Sequence, residues 1–286
     1  VDNSGSMMEE QQAIGQAFDQ FIQYAVSQGI DYHIGVTTTG LTPSGGGWSD
    51  CPGGVDGGEA GRLFPVTGER PRYITSSTID PVGIFRQNVQ VGVCHWWEEG
   101  LEAAYRALTP PLVDNADAPN TPQPNDGNLG FYRPDARLSV IIVTDEDDHS
   151  DKEPSFYANF FRNLKGAANA DKVTVHGVLG NGCSTASGNG DRYSAVITAT
   201  GGTIESICTT DWGRSLVNLA QSTFGYSLRF PLSGTPVGGV TVRVDGQIVS
   251  TGWSYDSSTN HVVFTEAAAP PPGSRIDITY VPACGT

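Results

Sequence analysis

Apolar residues recur with a helical period early in the chain. Between Glu9 and Gln28, Ile14, Ala17, Phe18, Phe21, Ile22, Ala25 and Val26 fall at i, i+3/i+4 and i+7/i+8 spacing, and Gly29 stops the run. Tyr32 to Thr38 then reads as a short buried strand. Thr39 to about Pro71 is a long Gly/Pro/Ser/Asp stretch, of the length that in a compact domain usually serves function or is disordered. Glu98 to Leu108 reads as a helix ended by Pro110, and Asn115 to Asp126 as a second polar loop. Leu138 to Asp145 is a near-continuous apolar run, the pattern of a strand covered on both faces in a parallel sheet. Helix is expected over 155–164, 193–200 and 212–222, with strands over 173–179 and 203–208.

That alternation predicts an α/β fold with a doubly wound, mostly parallel sheet over residues 1–224. After Tyr226 the pattern changes. Residues 227–232, 240–244, 247–250, 261–265 and 275–281 read as short strands with no helix between them, and Asp245-Gly246 is a two-residue hairpin signal. Residues 225–286 are therefore expected to form a small β-sandwich-like module.

A chain of 286 residues is long enough for one large or two unequal domains. Its formal net charge of −15 argues against nucleic acid or an anionic membrane as partner, and otherwise suits solubility. No apolar run approaches 18 residues, so no segment of these rows is expected to span a membrane. The chain opens on Val1, read as the last residue of a strand, and an upstream segment is expected to precede it. None of the five cysteines forms a C-x-x-C pair, which removes zinc ribbons and thioredoxin-like motifs. Cys183 and Cys208 flank one helix near strand ends and are expected to pair. Cys51 and Cys94 lie in two Gly-rich loops that a second bridge would staple, and Cys284 is left over. Disulfides would place the chain in an oxidising compartment; reduced, buried thiols are the alternative.

The candidate chemistry lies at two strand ends. Asp2-Asn3-Ser4-Gly5-Ser6 offers one carboxylate and two hydroxyls where a strand runs into a helix, and Asp145 closes the apolar strand 138–145. In an open α/β sheet such ends line the ligand crevice. Hard oxygen donors of this kind suit Mg²⁺, Mn²⁺ or Ca²⁺ rather than a soft metal. The plainer reading of Asp or Ser before a helix is an N-cap. Glu98 begins a helix on the crevice side and is a fifth candidate ligand; as a first-turn acid it would equally complement the helix dipole. Glu9 and Glu10 have that same plain reading. Glu146, Asp147 and Asp148 would tune the main site, bind a second cation or, on the plainer reading, be solvated acids in the first turn of the next helix. His149 is expected on the surface. Trp48, Trp96 and Trp97 fall in loops expected near the crevice mouth.

These residues resemble the von Willebrand factor A domain. Its metal-ion-dependent adhesion site combines Asp-x-Ser-x-Ser, a Thr or acidic residue in a second loop and an Asp in a third. Asp2, Ser4, Ser6 and Asp145 match the first and third elements. Glu98-Glu99-Gly100-Leu101-Glu102-Ala103 lacks the Thr and is similar instead to the integrin β-subunit form, in which Glu9 and Glu10 would also stand beside a neighbouring metal site. Within the family, the runs Asp31–Thr39 and Thr144–Asp148 are similar to secreted or lipid-anchored bacterial surface proteins, including gliding-motility adhesins. The resemblance implies a binding module that captures a protein partner's Asp or Glu carboxylate at an open cation position, outside the cell or on its surface.

Catalysis is not expected. An Asp-x-Asp phosphatase motif would need an acid where Ser4 stands, and neither a Gly-x-Ser-x-Gly elbow nor a phosphate-binding Gly-x-x-x-x-Gly-Lys loop is present. The alternative function is a scaffold within an envelope complex.

Overall fold

The computed structural model describes residues 1–27, 30–43, 52–68, 70–116, 127–224, 228–270 and 274–283. They divide into two compact units, residues 1–24 with 31–223, and residues 25–30 with 224–286.

The first unit is built on a parallel sheet. Strands β3 (Leu138–Thr144), β4 (Val173–Leu179) and β5 (Ile204–Ser206) lie in the order β3-β4-β5, with Val140 opposite Val175 and Gly177 opposite Ile204. Helices α4 (Pro154–Asn163) and α5 (Asp191–Thr200) connect them, giving two successive βαβ units. Strand β1 (His33–Gly35) pairs antiparallel with β2 (Tyr73–Thr75). The start of the chain lies between these two groups, because the Val1 nitrogen donates to the Thr37 carbonyl at 2.8 Å and Asp2 N–H to the Val143 carbonyl at 2.9 Å.

Packing follows from the apolar faces. Helix α1 (Met8–Ser27) buries Ile14, Phe18, Phe21 and Ile22, and the Phe18 ring stacks on Phe85 of α2 (Pro81–Asn88). Gly15 permits that approach: a Cβ there would sit 3.3 Å from Val89 Cγ1, while the Gly15 carbonyl accepts from Arg86 Nε at 3.1 Å. A second cluster joins Leu101 of α3 (Gly100–Ala107), Tyr157 and Phe161 of α4, Val175 and Leu179 of β4, and Tyr193 and Ile197 of α5. Each large side chain buried there contributes roughly 1.5–3 kcal/mol relative to exposure. Helix α6 (Trp212–Phe224) closes the order of elements in this part of the chain.

Two elements of this unit lie where no helix or strand was expected. Both β2 and α2 occupy residues 72–97, and α2 carries a readable start: Asp80 caps it by accepting from Gly83 N–H at 3.0 Å, with Pro81 in the first turn. Periodicity hid it, because Val82, Ile84 and Phe85 are too few to mark a face over eight residues.

The second unit is built mainly of β-strands, with a 3-10 turn at Glu266–Ala268. Strands β6 (Arg229–Pro231), β10 (His261–Phe264) and β9 (Trp253–Asp256) form one antiparallel sheet, and β11 (Ile276–Thr279), β7 (Thr241–Val244) and β8 (Gln247–Val249) form another. Leu232, Val242, Val262 and Phe264 make one shared core, so the sheets face each other as a sandwich does. Asp245 and Gly246 form the expected turn, at φ 50° and 82°, the left-handed pair that a two-residue hairpin of this twist requires. Strand β9 was not anticipated; Asn260, at φ 56°, lies in the turn that returns it to β10.

Candidate metal centre

The site forms where the end of β3 meets the first residues of the chain and two loops; residues 1–4, expected to leave a strand, are not in one. Asp2 is fully buried. Its Oδ1 accepts from Ser4 N–H at 2.7 Å, and its Oδ2 accepts from Thr144 Oγ1 at 2.7 Å. Ser6 Oγ donates to Asp145 Oδ1 at 2.8 Å, so in the 3.0 Å contact between Ser4 Oγ and Ser6 Oγ the donor is Ser4. Asp2, Ser4, Ser6 and Asp145 thus form one connected set of oxygens. Ser4 and Asp145 are buried, whereas Ser6 is exposed, which puts the open side of the set at Ser6.

The backbone beneath is held from several directions. Asn3, also fully buried, accepts from Thr39 Oγ1 at 3.1 Å and donates through Nδ2 to the Gly57 carbonyl at 3.2 Å. Its own carbonyl accepts from the N–H groups of Cys94 and His95. Gln11 Nε2 donates to the Asp2 carbonyl at 3.0 Å and to the Gly92 carbonyl at 2.9 Å.

Glu98 approaches from the loop before α3 rather than from the helix, whose flanking residue is Glu99. It is fully buried, and neither carboxylate oxygen has a hydrogen-bond partner. His149 Nδ1 stands 4.0 Å from Oε2, beyond hydrogen-bond distance. A buried carboxylate normally finds donors, so two oxygens without a hydrogen bond call for an explanation. Burial first, then the charges of Asp2 and Glu146, push its carboxyl up to about 9. Burial likewise pushes Asp2 up to about 6, opposed by the Thr144 and Ser4 hydrogen bonds and reinforced by the Asp145 charge. The helix-dipole reading of Glu98 does not account for that burial. A hard cation would account for it, by neutralising the crowded carboxylates and taking the orphaned oxygens.

Among the described residues no group of three or more His, Cys, Asp or Glu side chains converges as a metal cluster. Of the five candidates, hydrogen bonds join Asp2, Ser4, Ser6 and Asp145, and none joins Glu98 to them. Glu9 is exposed; Glu10 is half-buried, its Oε2 has no hydrogen-bond partner, and burial followed by the Asp145 and Glu9 charges raises its carboxyl.

The acids after Asp145 are not a solvated first turn, because α4 begins only at Pro154. Asp148 is buried and organises the loop: Oδ1 accepts from Leu101 N–H at 3.1 Å and Ser150 Oγ at 2.8 Å, while Oδ2 faces Arg192 Nε at 3.4 Å. Asp147 Oδ1 accepts from Arg192 N–H at the start of α5. His149 N–H donates to the Glu98 carbonyl at 2.7 Å, and its exposed ring stacks on Trp97 with centroids 4.2 Å apart. Trp96 and Trp97 are exposed; Trp48, Cys51 and Cys284 lie outside the described residues. Cys183 and Cys208 are disulfide-bonded, with Cα atoms 6.0 Å apart. The sequence assigned no role to Thr144 or Asn3, although a threonine ending an apolar strand beside Asp145 was a usable signal.

No family model matches this chain, and no curated protein does. Among solved structures the chain is similar to a von Willebrand factor type A protein from Catenulispora acidiphila, at 13% identity and a TM-score of 0.43, over 99% of this chain. The chain spans 57% of that protein's length.

Proposed function

We propose that the first unit is a von Willebrand factor A-type binding module, whose divalent-cation site captures an acidic group of a protein partner. The observation that supports it is Glu98, whose two oxygens are buried without a hydrogen bond, His149 Nδ1 standing 4.0 Å from Oε2, while Asp2 and Glu146 press on it electrostatically. Asp2, Ser4, Ser6, Glu98 and Asp145 are the residues that would hold the ion. Bound Mg²⁺, Mn²⁺ or Ca²⁺ would present an open coordination position to a partner's Asp or Glu carboxylate. Thr144 and Ser4 N–H fix the Asp2 carboxylate, and the neutral serine hydroxyls add donors without adding charge, so the set stays attractive to an outside anion. Trp96 and Trp97 provide exposed apolar area close by.

The reading is of binding rather than catalysis, on a bacterial surface or within its envelope. The Cys183–Cys208 bridge suits an oxidising compartment, and among the described residues no helix is long and apolar enough to cross a membrane. The test is calorimetric titration of the chain with Mg²⁺, Mn²⁺ and Ca²⁺, alongside capture of an acidic protein ligand with and without EDTA. Uptake of an ion by the parent chain and its loss in Asp2→Ala are expected. Ligand binding indifferent to both chelator and Asp2→Ala would favour a scaffold, and absence of cation uptake ends the metal reading.

A further inference from the structure

Asp145 is gripped from outside the strand that bears it. Its Oδ2 accepts from Ser187 N–H at 3.0 Å, and its carbonyl accepts from Gly188 N–H at 2.8 Å. Both donors belong to the loop between β4 and α5, residues 180–190, which holds Gly180, Gly182, Gly188 and Gly190 and contains no helix or strand. Glycine-rich backbone gives up the most conformational freedom when it is fixed. Asn181 Oδ1 accepts from Gly190 N–H at 3.0 Å and thereby ties one end of the loop to the other. At Gly180, an added Cβ would lie 3.1 Å from the Asp145 carbonyl oxygen and 2.7 Å from that of Gly188, so the loop closes against Asp145 only with glycine there. The Cys183–Cys208 bond anchors the same loop to the segment after β5, and Cys208 is exposed.

We propose that the Cys183–Cys208 disulfide positions Asp145 through Ser187 and Gly188, and that cation affinity at the site depends on its oxidation state. This rests on the cation-site reading above. Closing the 25-residue separation between the two cysteines restricts the loop before it docks, so the donors meet Asp145 without the loop having to be ordered at that moment. Reduction by a dithiol balances simply. The sulfur–sulfur bond takes up two electrons and two protons to give two thiols, as the dithiol becomes a cyclic disulfide. Ser187 N–H is then released, and Asp145 loses one of its two orienting partners.

The experiment is calorimetric Mg²⁺ titration of the whole chain, oxidised and after dithiothreitol, with a Cys183→Ser/Cys208→Ser variant carried through both conditions. Thermal unfolding in EDTA follows global stability in each case. The oxidised parent is expected to bind, and reduction or the double variant to weaken binding about tenfold, with the variant itself indifferent to dithiothreitol. Gly180→Ala in the oxidised chain is expected to weaken binding in the same direction. Equal affinity in oxidised parent and double variant would overturn the proposal while leaving the cation site standing. No uptake by the oxidised parent would overturn the cation reading instead, and this proposal with it. Should dithiothreitol weaken the double variant as much as the parent, the effect belongs to another cysteine and the assignment to Cys183–Cys208 fails.

Discussion

Thr144 Oγ1 donates to Asp2 Oδ2 at 2.7 Å, joining residues 142 positions apart in the chain at the floor of the candidate site. The same hydroxyl accepts from Glu146 N–H at 3.1 Å, so one threonine orients the Asp2 carboxylate and turns the loop that follows Asp145. A hydrogen bond to a charged group contributes about 1.5–3 kcal/mol. Thr144→Val, nearly equal in volume, is therefore expected to weaken Mg²⁺ binding at least tenfold in calorimetry, while Thr144→Ser keeps most of the affinity. Unchanged binding in Thr144→Val would mean that Asp2 needs no such orientation.

Glu98 yields a prediction whose sign depends on the cation. In EDTA, Glu98→Gln removes a crowded buried carboxylate, so the variant is expected to melt above the parent. In saturating Mg²⁺ the order reverses, because the parent gains a bound ion that the variant holds weakly. Paired thermal melts check this, and a variant that melts below the parent in both buffers would show that Glu98 is structural.

The same carboxylates set a pH dependence. Folded-state values of about 6 for Asp2 and about 9 for Glu98 lie above the ordinary carboxylate range. A raised value favours the fold at low pH, and that contribution is lost as pH rises from the unfolded value near 4 through the folded one. The cation-free chain should thus lose stability between about pH 4 and 9, while the rise in melting temperature produced by Mg²⁺ grows over that window. Melting in EDTA and in Mg²⁺ at pH 5.5 and 8 tests it; an equal Mg²⁺ effect at both pH values would contradict proton competition at the site.

Much of this was legible in the sequence, and the parts that were not share causes. The buried strand 138–145 was visible because both of its faces are covered, so its apolar run needs no periodicity to be seen. The convergence of Asp2, Ser4, Ser6 and Asp145 was foreseeable from the end of strand 138–145, although Asp2 reaches it through a single backbone hydrogen bond to Val143 rather than from a strand of its own. Strand β1 falls inside the expected strand 32–38 but is shorter, whereas β2, of only three residues, is below the length at which alternation shows. Asp148 was misjudged because an acidic run reads as solvated, and its partners Leu101 N–H and Arg192 are remote in sequence. The orphaned oxygens of Glu98 were invisible, since burial of a charged side chain is decided by the loops around it.

His176 sits in β4, away from the proposed function, and makes a separate prediction. It is buried, its Nδ1 accepts from Thr203 N–H at 3.2 Å, and its Nε2 has no partner. Burial lowers its pKa to about 4, so the ring is held neutral in the fold. A lowered value means that the unfolded chain binds the proton first. The contribution of this ring to stability is therefore complete above about 6.5 and falls as the medium is acidified towards 4, by roughly 3 kcal/mol in all at 1.36 kcal/mol per unit. His176→Gln leaves an amide that can accept from the same N–H and does not titrate. In denaturant unfolding at pH 7 and pH 4.5, with the carboxylates common to both chains, acidification is expected to change stability more favourably in the variant than in the parent. An identical pH dependence in the two chains would show that His176 does not contribute to it.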